Sequence, residues 1–125
     1  MIQGVGIDLI ELDRFKAAMK RQGAPFLEKL FTPAERRYCE DKWNRIAHYA
    51  ARFAAKEAVL KALGTGWSGG IRWTDVEVLR DGGGSVSVRL AGQAKKEASR
   101  RKIRRIHLNL THAEKYAAAV AVTER

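Results

Sequence analysis

Residues 52–66 read Arg52-Phe53-Ala54-Ala55-Lys56-Glu57-Ala58-Val59-Leu60-Lys61-Ala62-Leu63-Gly64-Thr65-Gly66. The run from Ile46 to Leu63 holds no Gly or Pro and is rich in Ala and Leu. Ala50, Phe53, Ala54, Glu57, Leu60 and Lys61 fall close to one face, which predicts one long helix over 46–63. Gly64-Thr65-Gly66 ends it with a glycine cap. Glu57 and Lys61 have the spacing of an ordinary surface pair, worth ~0.2–0.5 kcal/mol. Their neighbours are small and apolar, however, which suits close packing and shelters the charges. The glycines follow the lysine, whereas a P-loop lysine follows its glycines at a helix start, so nucleotide hydrolysis of that type is unsupported. A glycine loop beside a lysine still lets backbone N–H groups approach phosphate oxygens.

Upstream of this helix, residues 2–10 (IQGVGIDLI) alternate as a strand, with Val5, Ile7 and Leu9 on one face and Gly6, Asp8 and Ile10 on the other. A helix from Asp13 is signalled by Phe15, Ala18 and Met19 and ends near Gly23. Ala24-Pro25 restarts the chain, and Thr32-Pro33-Ala34-Glu35 is a capping box that opens another helix. Downstream, Trp67–Gly70 reads as loop. Val76/Val78 and Val86/Val88/Leu90 alternate with polar residues around Asp81-Gly82-Gly83-Gly84, a hairpin. A basic helix over Gln93–Lys102 follows, then a strand through Ile106, Leu108 and Leu110. A last strand over Tyr116–Val122 is joined to it by a turn over 112–115. The order βαααββαββ predicts an α+β fold: a largely antiparallel sheet packed with helices, in one small domain over 1–125.

Asp8 is out of place in its strand. Aspartate is depleted in strands and rarely buried without a partner. It is either an edge position capping the next turn or a carboxylate held rigidly to bind a cation, because an ionised acid in an apolar run needs compensation. The three histidines (His48, His107, His112) and lone Cys39 offer no zinc-ligand spacing. No Ser-His-Asp or Cys-His constellation is present.

Lys and Arg total 24 against 14 Asp and Glu, a formal charge of +10 over 125 residues. Such a field attracts polyanions: nucleic acid, anionic membrane, phosphorylated cofactors or acidic proteins. Seven of the basic residues and one acid lie in Lys95–Arg105, and Arg14, Lys16, Lys20 and Arg21 form a second basic face. With one cysteine no intramolecular disulfide can form, which points to a reducing, cytoplasmic setting. The apolar run at the start lacks a basic leader and reads as a strand, not a signal peptide. No stretch approaches the ~18 apolar residues of a spanning helix. A chain this short buries roughly two thirds of its unfolded surface. A pocket engulfing a large substrate would consume much of the core, so a site shared between subunits is physically attractive.

Three blocks together resemble one known family. They are Gly4-Val5-Gly6-Ile7-Asp8-Leu9-Ile10-Glu11-Leu12, the Arg52–Gly66 stretch, and Leu110-Thr111-His112 followed by Tyr116-Ala117-Ala118-Ala119. In order and spacing they are similar to holo-acyl-carrier-protein synthase, a 4′-phosphopantetheinyl transferase, over the whole chain. The resemblance implies a Mg²⁺-dependent enzyme, with Mn²⁺ as an alternative ion. It would move 4′-phosphopantetheine from coenzyme A to a serine of an apo acyl carrier protein and release adenosine 3′,5′-bisphosphate, in support of fatty acid or polyketide biosynthesis. Asp8 and Glu57 match the family's metal ligands, and Lys61 matches the lysine on the transferring phosphate. Such a set suits a pyrophosphate whose charge must be neutralised under attack. Glu57 and a metal-bound water are equal candidates for taking the serine proton.

The resemblance further implies that Gly64, Thr65 and Gly66 lie along the coenzyme A phosphates. Arg52 and His112 would hold the nucleotide end, including its 3′-phosphate. Arg14 and Arg21 would dock the acidic carrier, and the assembly would be a homotrimer with active sites between subunits. Ala51 replaces a common Gly, Asn109 a common Ser, and Gly83-Gly84-Ser85 an Asn-Gly-x-Pro turn; none of these removes a metal ligand or Lys61. Rival readings are a different metal-dependent phosphotransferase and a basic nucleic-acid module. The latter has no RRM, HTH or KH pattern and gives Asp8 and Glu57 no task. Neither nucleic acid nor membrane is an expected partner.

Overall fold

In the computed structural model, which describes residues 1–125, five strands and five helices follow one another. They are β1 (Ile2–Glu11), α1 (Leu12–Gln22), α2 (Ala24–Leu30), α3 (Pro33–Glu40), α4 (Arg45–Leu63), β2 (Val76–Arg80), β3 (Val86–Leu90), α5 (Gly92–Arg100), β4 (Arg105–His112) and β5 (Tyr116–Glu124). The α+β expectation holds. One helix more than expected is present: the chain restart at Ala24-Pro25 is itself the first turn of α2. Proline is tolerated there because first-turn N–H groups have no intrahelical partner. The Thr32/Glu35 capping box forms as expected.

The strands make two antiparallel sheets, a three-stranded one in the order β1-β5-β4 and the β2-β3 hairpin. Helix α4 lies between two apolar clusters and is buried on most sides, as its Ala-rich sequence allows. One cluster runs through Ala54, Ala58, Leu63, Val76, Ala119 and Ala121. The other runs through Phe15, Met19, Phe31, Tyr49, Ala51 and Ala117. At its C-terminus Gly64 adopts the left-handed conformation (φ 84°) and its N–H caps the Leu60 and Lys61 carbonyls.

The register places Gly6, Asp8 and Ile10 beside Ala121, Ala119 and Ala117, on the sheet face that meets α4. At Gly4 and Gly6 the strand comes so near α4 that a Cβ would run into the carbonyl oxygens of Ala62 and Ala58. The alternation expected of β1 is therefore correct, but its apolar face is not the inner one. Val5, Ile7 and Leu9 are 60%, 68% and 64% exposed. Glycine faces the helix because only a residue without a side chain permits that approach.

Candidate functional site

Asp8 reaches α4 because β1 lies so close to it. Its Oδ1 accepts a 3.0 Å hydrogen bond from Lys61 Nζ, which also donates to the Ile7 carbonyl at 3.0 Å. Its other oxygen, Oδ2, is buried and has no partner. Glu57 lies one turn before Lys61, yet the two do not form the surface pair their spacing allows. Lys61 is committed to β1, and Glu57 Oε2 instead accepts from the Trp67 indole N–H at 3.3 Å. Burial raises the Glu57 carboxyl above the usual carboxylate range. The Trp67 hydrogen bond opposes this, the Asp8 charge adds to it, and the Lys61 charge counters it.

Two carboxylates that repel each other, one with an orphaned buried oxygen, are what a bound cation would relieve. No cluster of three or more His, Cys, Asp or Glu exists. Two carboxylate ligands leave most of the positions around a hard divalent ion open to phosphate oxygens and water, so these residues fit Mg²⁺. The Gly64–Gly66 loop begins one residue past the turn that carries Lys61. It is pinned from behind by Arg101, which donates to the Leu63 carbonyl at 2.6 Å. The Thr65 hydroxyl is turned onto the Gly66 carbonyl and the Ser68 hydroxyl onto Thr65.

Arg52 and His112 are not brought to this centre. His112 shares the α4-facing side of the sheet with Asp8, but two strands across and two residues along. That is a separation of about 12 Å at ordinary strand spacings. On α4, Arg52 is about 140° around the helix from Glu57. The two residues belong to a second cluster on the far flank. His48 packs edge-on against His112 (ring centroids 5.1 Å) and Tyr38 (5.7 Å), and the Arg52 guanidinium lies 4.0 Å over the Tyr38 ring. Arg52 is buried, makes no ion pair, and its Nε has no acceptor.

Arg14 and Arg21 flank a groove of about 540 Å³ floored by Phe15, Phe26 and Phe53. Trp67, Tyr38 and His48 were not among the expected site residues. For His48 a signal existed in its i, i+4 spacing to Arg52. Trp67 had none, being a loop residue that packs back on Trp73.

Residues 4–121 match the family model of the 4′-phosphopantetheinyl transferase superfamily. The chain is 46% identical over 124 residues to a holo-[acyl-carrier-protein] synthase of Koribacter versatilis, covering 99% of each. It is 48% identical over 122 residues to one of Desulforudis audaxviator, covering 98% of this chain and 92% of that one. The crystal structure of the synthase from Neisseria meningitidis superposes with a TM-score of 0.92 at 30% identity, covering all of both chains. That of Helicobacter pylori in complex with coenzyme A does so with a TM-score of 0.82 at 28% identity, covering 96% of this chain and 99% of that one. With its three sequence blocks assembled on this shared fold, the chain belongs to the holo-[acyl-carrier-protein] synthase family of the 4′-phosphopantetheinyl transferase superfamily.

Proposed function

We propose that this protein transfers the 4′-phosphopantetheine group of coenzyme A to a serine hydroxyl of an apo acyl carrier protein. The serine oxygen bonds to the β-phosphorus, the bond to the bridging oxygen breaks, and adenosine 3′,5′-bisphosphate leaves. The observation that carries the reading is the orphaned Asp8 Oδ2 beside Glu57 and Lys61. Mg²⁺ held by Asp8 and Glu57, or Mn²⁺ in its place, would neutralise the pyrophosphate during transfer. Lys61 spends two of its donors on β1, which leaves its remaining N–H for a phosphate oxygen. Glu57, steadied by Trp67, or a metal-bound water would accept the serine proton. In the Gly64–Gly66 loop the N–H groups of Gly64 and Thr65 close the helix on the Leu60 and Lys61 carbonyls, which leaves the Gly66 N–H to meet the phosphates.

The two separated clusters support a shared site. A coenzyme A pyrophosphate and 3′-phosphate sit on one ribose, too close together to span both flanks of α4 within one chain. A second copy can set its Arg52/His112 flank against the Asp8/Glu57/Lys61 flank of the first. The uncovered row Val5, Ile7 and Leu9, continued by Val120, offers the apolar surface such an assembly needs. We take it to be a homotrimer, and sedimentation as a monomer at working concentration would overturn this. The Arg14/Arg21 groove suits an acidic amphipathic helix of the carrier, apolar side on the phenylalanines. The setting proposed is cytoplasmic, serving fatty acid or polyketide synthesis. No helix is long and apolar enough to cross a membrane.

The test is to mix protein, Mg²⁺, coenzyme A and apo carrier and weigh the carrier. A gain of one phosphopantetheine mass supports the function, and its loss in Asp8→Ala at unchanged helix content supports the metal site. An unmodified carrier under several divalent ions overturns both.

A further inference from the structure

The two carboxylates between β1 and α4 are engaged in the same way, each by one oxygen. Asp8 gives Oδ1 to the Lys61 ammonium at 3.0 Å and keeps Oδ2 without a partner. Glu57 gives Oε2 to the Trp67 indole N–H at 3.3 Å, and no group of the chain donates to its Oε1. An incoming ion therefore meets two single oxygens and no open carboxylate fork. Lys61 has a phosphate to meet besides, whereas Trp67 has no such task.

The loop that carries Trp67 is built to hold it there. Gly66 turns the chain with a φ of 59°, a conformation side chains rarely adopt. The Ser68 hydroxyl closes that turn on the Thr65 carbonyl at 2.8 Å, and buried Ile71 anchors the far end. The indole packs on Trp73, which in turn stacks on Phe53 with ring centroids 4.9 Å apart. An indole N–H only donates. Locked by ring contacts, it can do one thing for Glu57, which is to keep Oε2 occupied.

We propose that Trp67 makes this site prefer Mg²⁺ to Ca²⁺ by keeping Glu57 a one-oxygen ligand. This selectivity presupposes the metal site proposed above. Mg²⁺ demands a near-ideal octahedron and is served by single oxygens. Ca²⁺ is larger, accepts more ligands and readily takes both oxygens of one carboxylate. To grip Glu57 by both, an ion must first break the Trp67 hydrogen bond. Mg²⁺ leaves that bond intact; Ca²⁺ forfeits either the bond or a ligand. A hydrogen bond to a charged group is strong enough to separate the two affinities by about tenfold or more. Trp67 is thus a positioning residue, acting on the ion only through the carboxylate it holds.

The test is binding of the ions themselves, with no carrier present. Mn²⁺ on the protein is followed by EPR and displaced with Mg²⁺ or Ca²⁺; its loss in Asp8→Ala assigns the signal to this site. Trp67→Phe keeps a ring on Trp73 and removes only the N–H. The ratio of Ca²⁺ to Mg²⁺ affinity should rise by about tenfold or more in this variant, at unchanged helix content. A mere loosening of the loop would weaken both ions alike, so an unchanged ratio overturns the proposal. NMR gives a second reading on the wild-type protein. The Trp67 indole N–H, one of three in the chain and assigned by the same variant, should stay protected from exchange with Mg²⁺ and lose protection with Ca²⁺. Loss with both ions overturns the proposal too. If no divalent ion binds the wild-type protein, the metal site falls and this role with it. If ions bind both proteins in the same ratio, the metal site stands and the role of Trp67 alone falls.

Discussion

Lys56 and Lys61 are five residues apart on one helix, and each meets a carboxylate and backbone carbonyls. The first is wholly enclosed, its side chain and that of Glu35 both at 0% exposure. Its three donors reach Glu35 and the carbonyls of Trp73 and Val76. Glu35 in turn accepts from the backbone N–H groups of Thr32 and Val78. Every ammonium donor is used, and both carboxylate oxygens have partners. Burial lowers the Lys56 ammonium's affinity for its proton, and Glu35 opposes that shift. Lys61 is half exposed, at 53%, with two of three donors used and a carboxylate partner that keeps one oxygen free. The residue types are the same, and their roles differ by the valence left over. A saturated pair can only hold helix, turn and strand together, while an unsaturated one has something to offer a ligand.

Replacing Lys56 by Met should break this contrast most severely. The stranded Glu35 charge should cost about 3–5 kcal/mol of stability, read as a fall in the urea midpoint. The double variant Glu35→Gln/Lys56→Met should recover much of it. Lys56→Met with wild-type stability would erase the distinction. Lys61→Met should do the reverse, shifting stability by no more than about 1 kcal/mol while lowering turnover by about 10²–10³. Carrier modification and denaturation measured on one preparation check both. The smallest effect concerns Cys39, beside the saturated pair. Burial pushes its thiol up from 9.0 to about 12, with Arg52 opposing. Its folded value is raised, so its contribution to stability is complete below about pH 9 and is lost as pH rises toward about 12. Native protein at pH 8 should leave an aromatic disulfide reagent unreacted and consume one equivalent when unfolded.

That Asp8 needs a partner was legible in the sequence, because a carboxylate inside an apolar run is costly wherever the chain goes, and Lys61 supplies one. Local signals were legible too. The Thr32/Glu35 capping box and the Gly64 cap are decided within a few residues and formed as read. What was not legible depends on distant partners. Glu35 reads as a cap, and its second task, neutralising Lys56, appears only when α3 packs on α4. The exposed side of β1 could not be told from its alternation, since period two names two faces without saying which meets the helix. Gly4 and Gly6 carried that information, as the side on which a backbone could be touched. The split of Arg52 and His112 from Asp8 likewise needed the strand order β1-β5-β4.

That strand order has a consequence for synthesis. Asp8 belongs to the first strand made, yet it is held in register by Ala119 in the last. While the ribosome is still adding residues 64–115, Glu57 and Lys61 already ride on a nearly complete helix, but the edge where β1 must dock has no β5 to close it. Cation affinity should therefore arrive late and all at once. A growing chain that lacks residues 116–124 has no strand to hold Asp8 against α4 and should bind no Mg²⁺.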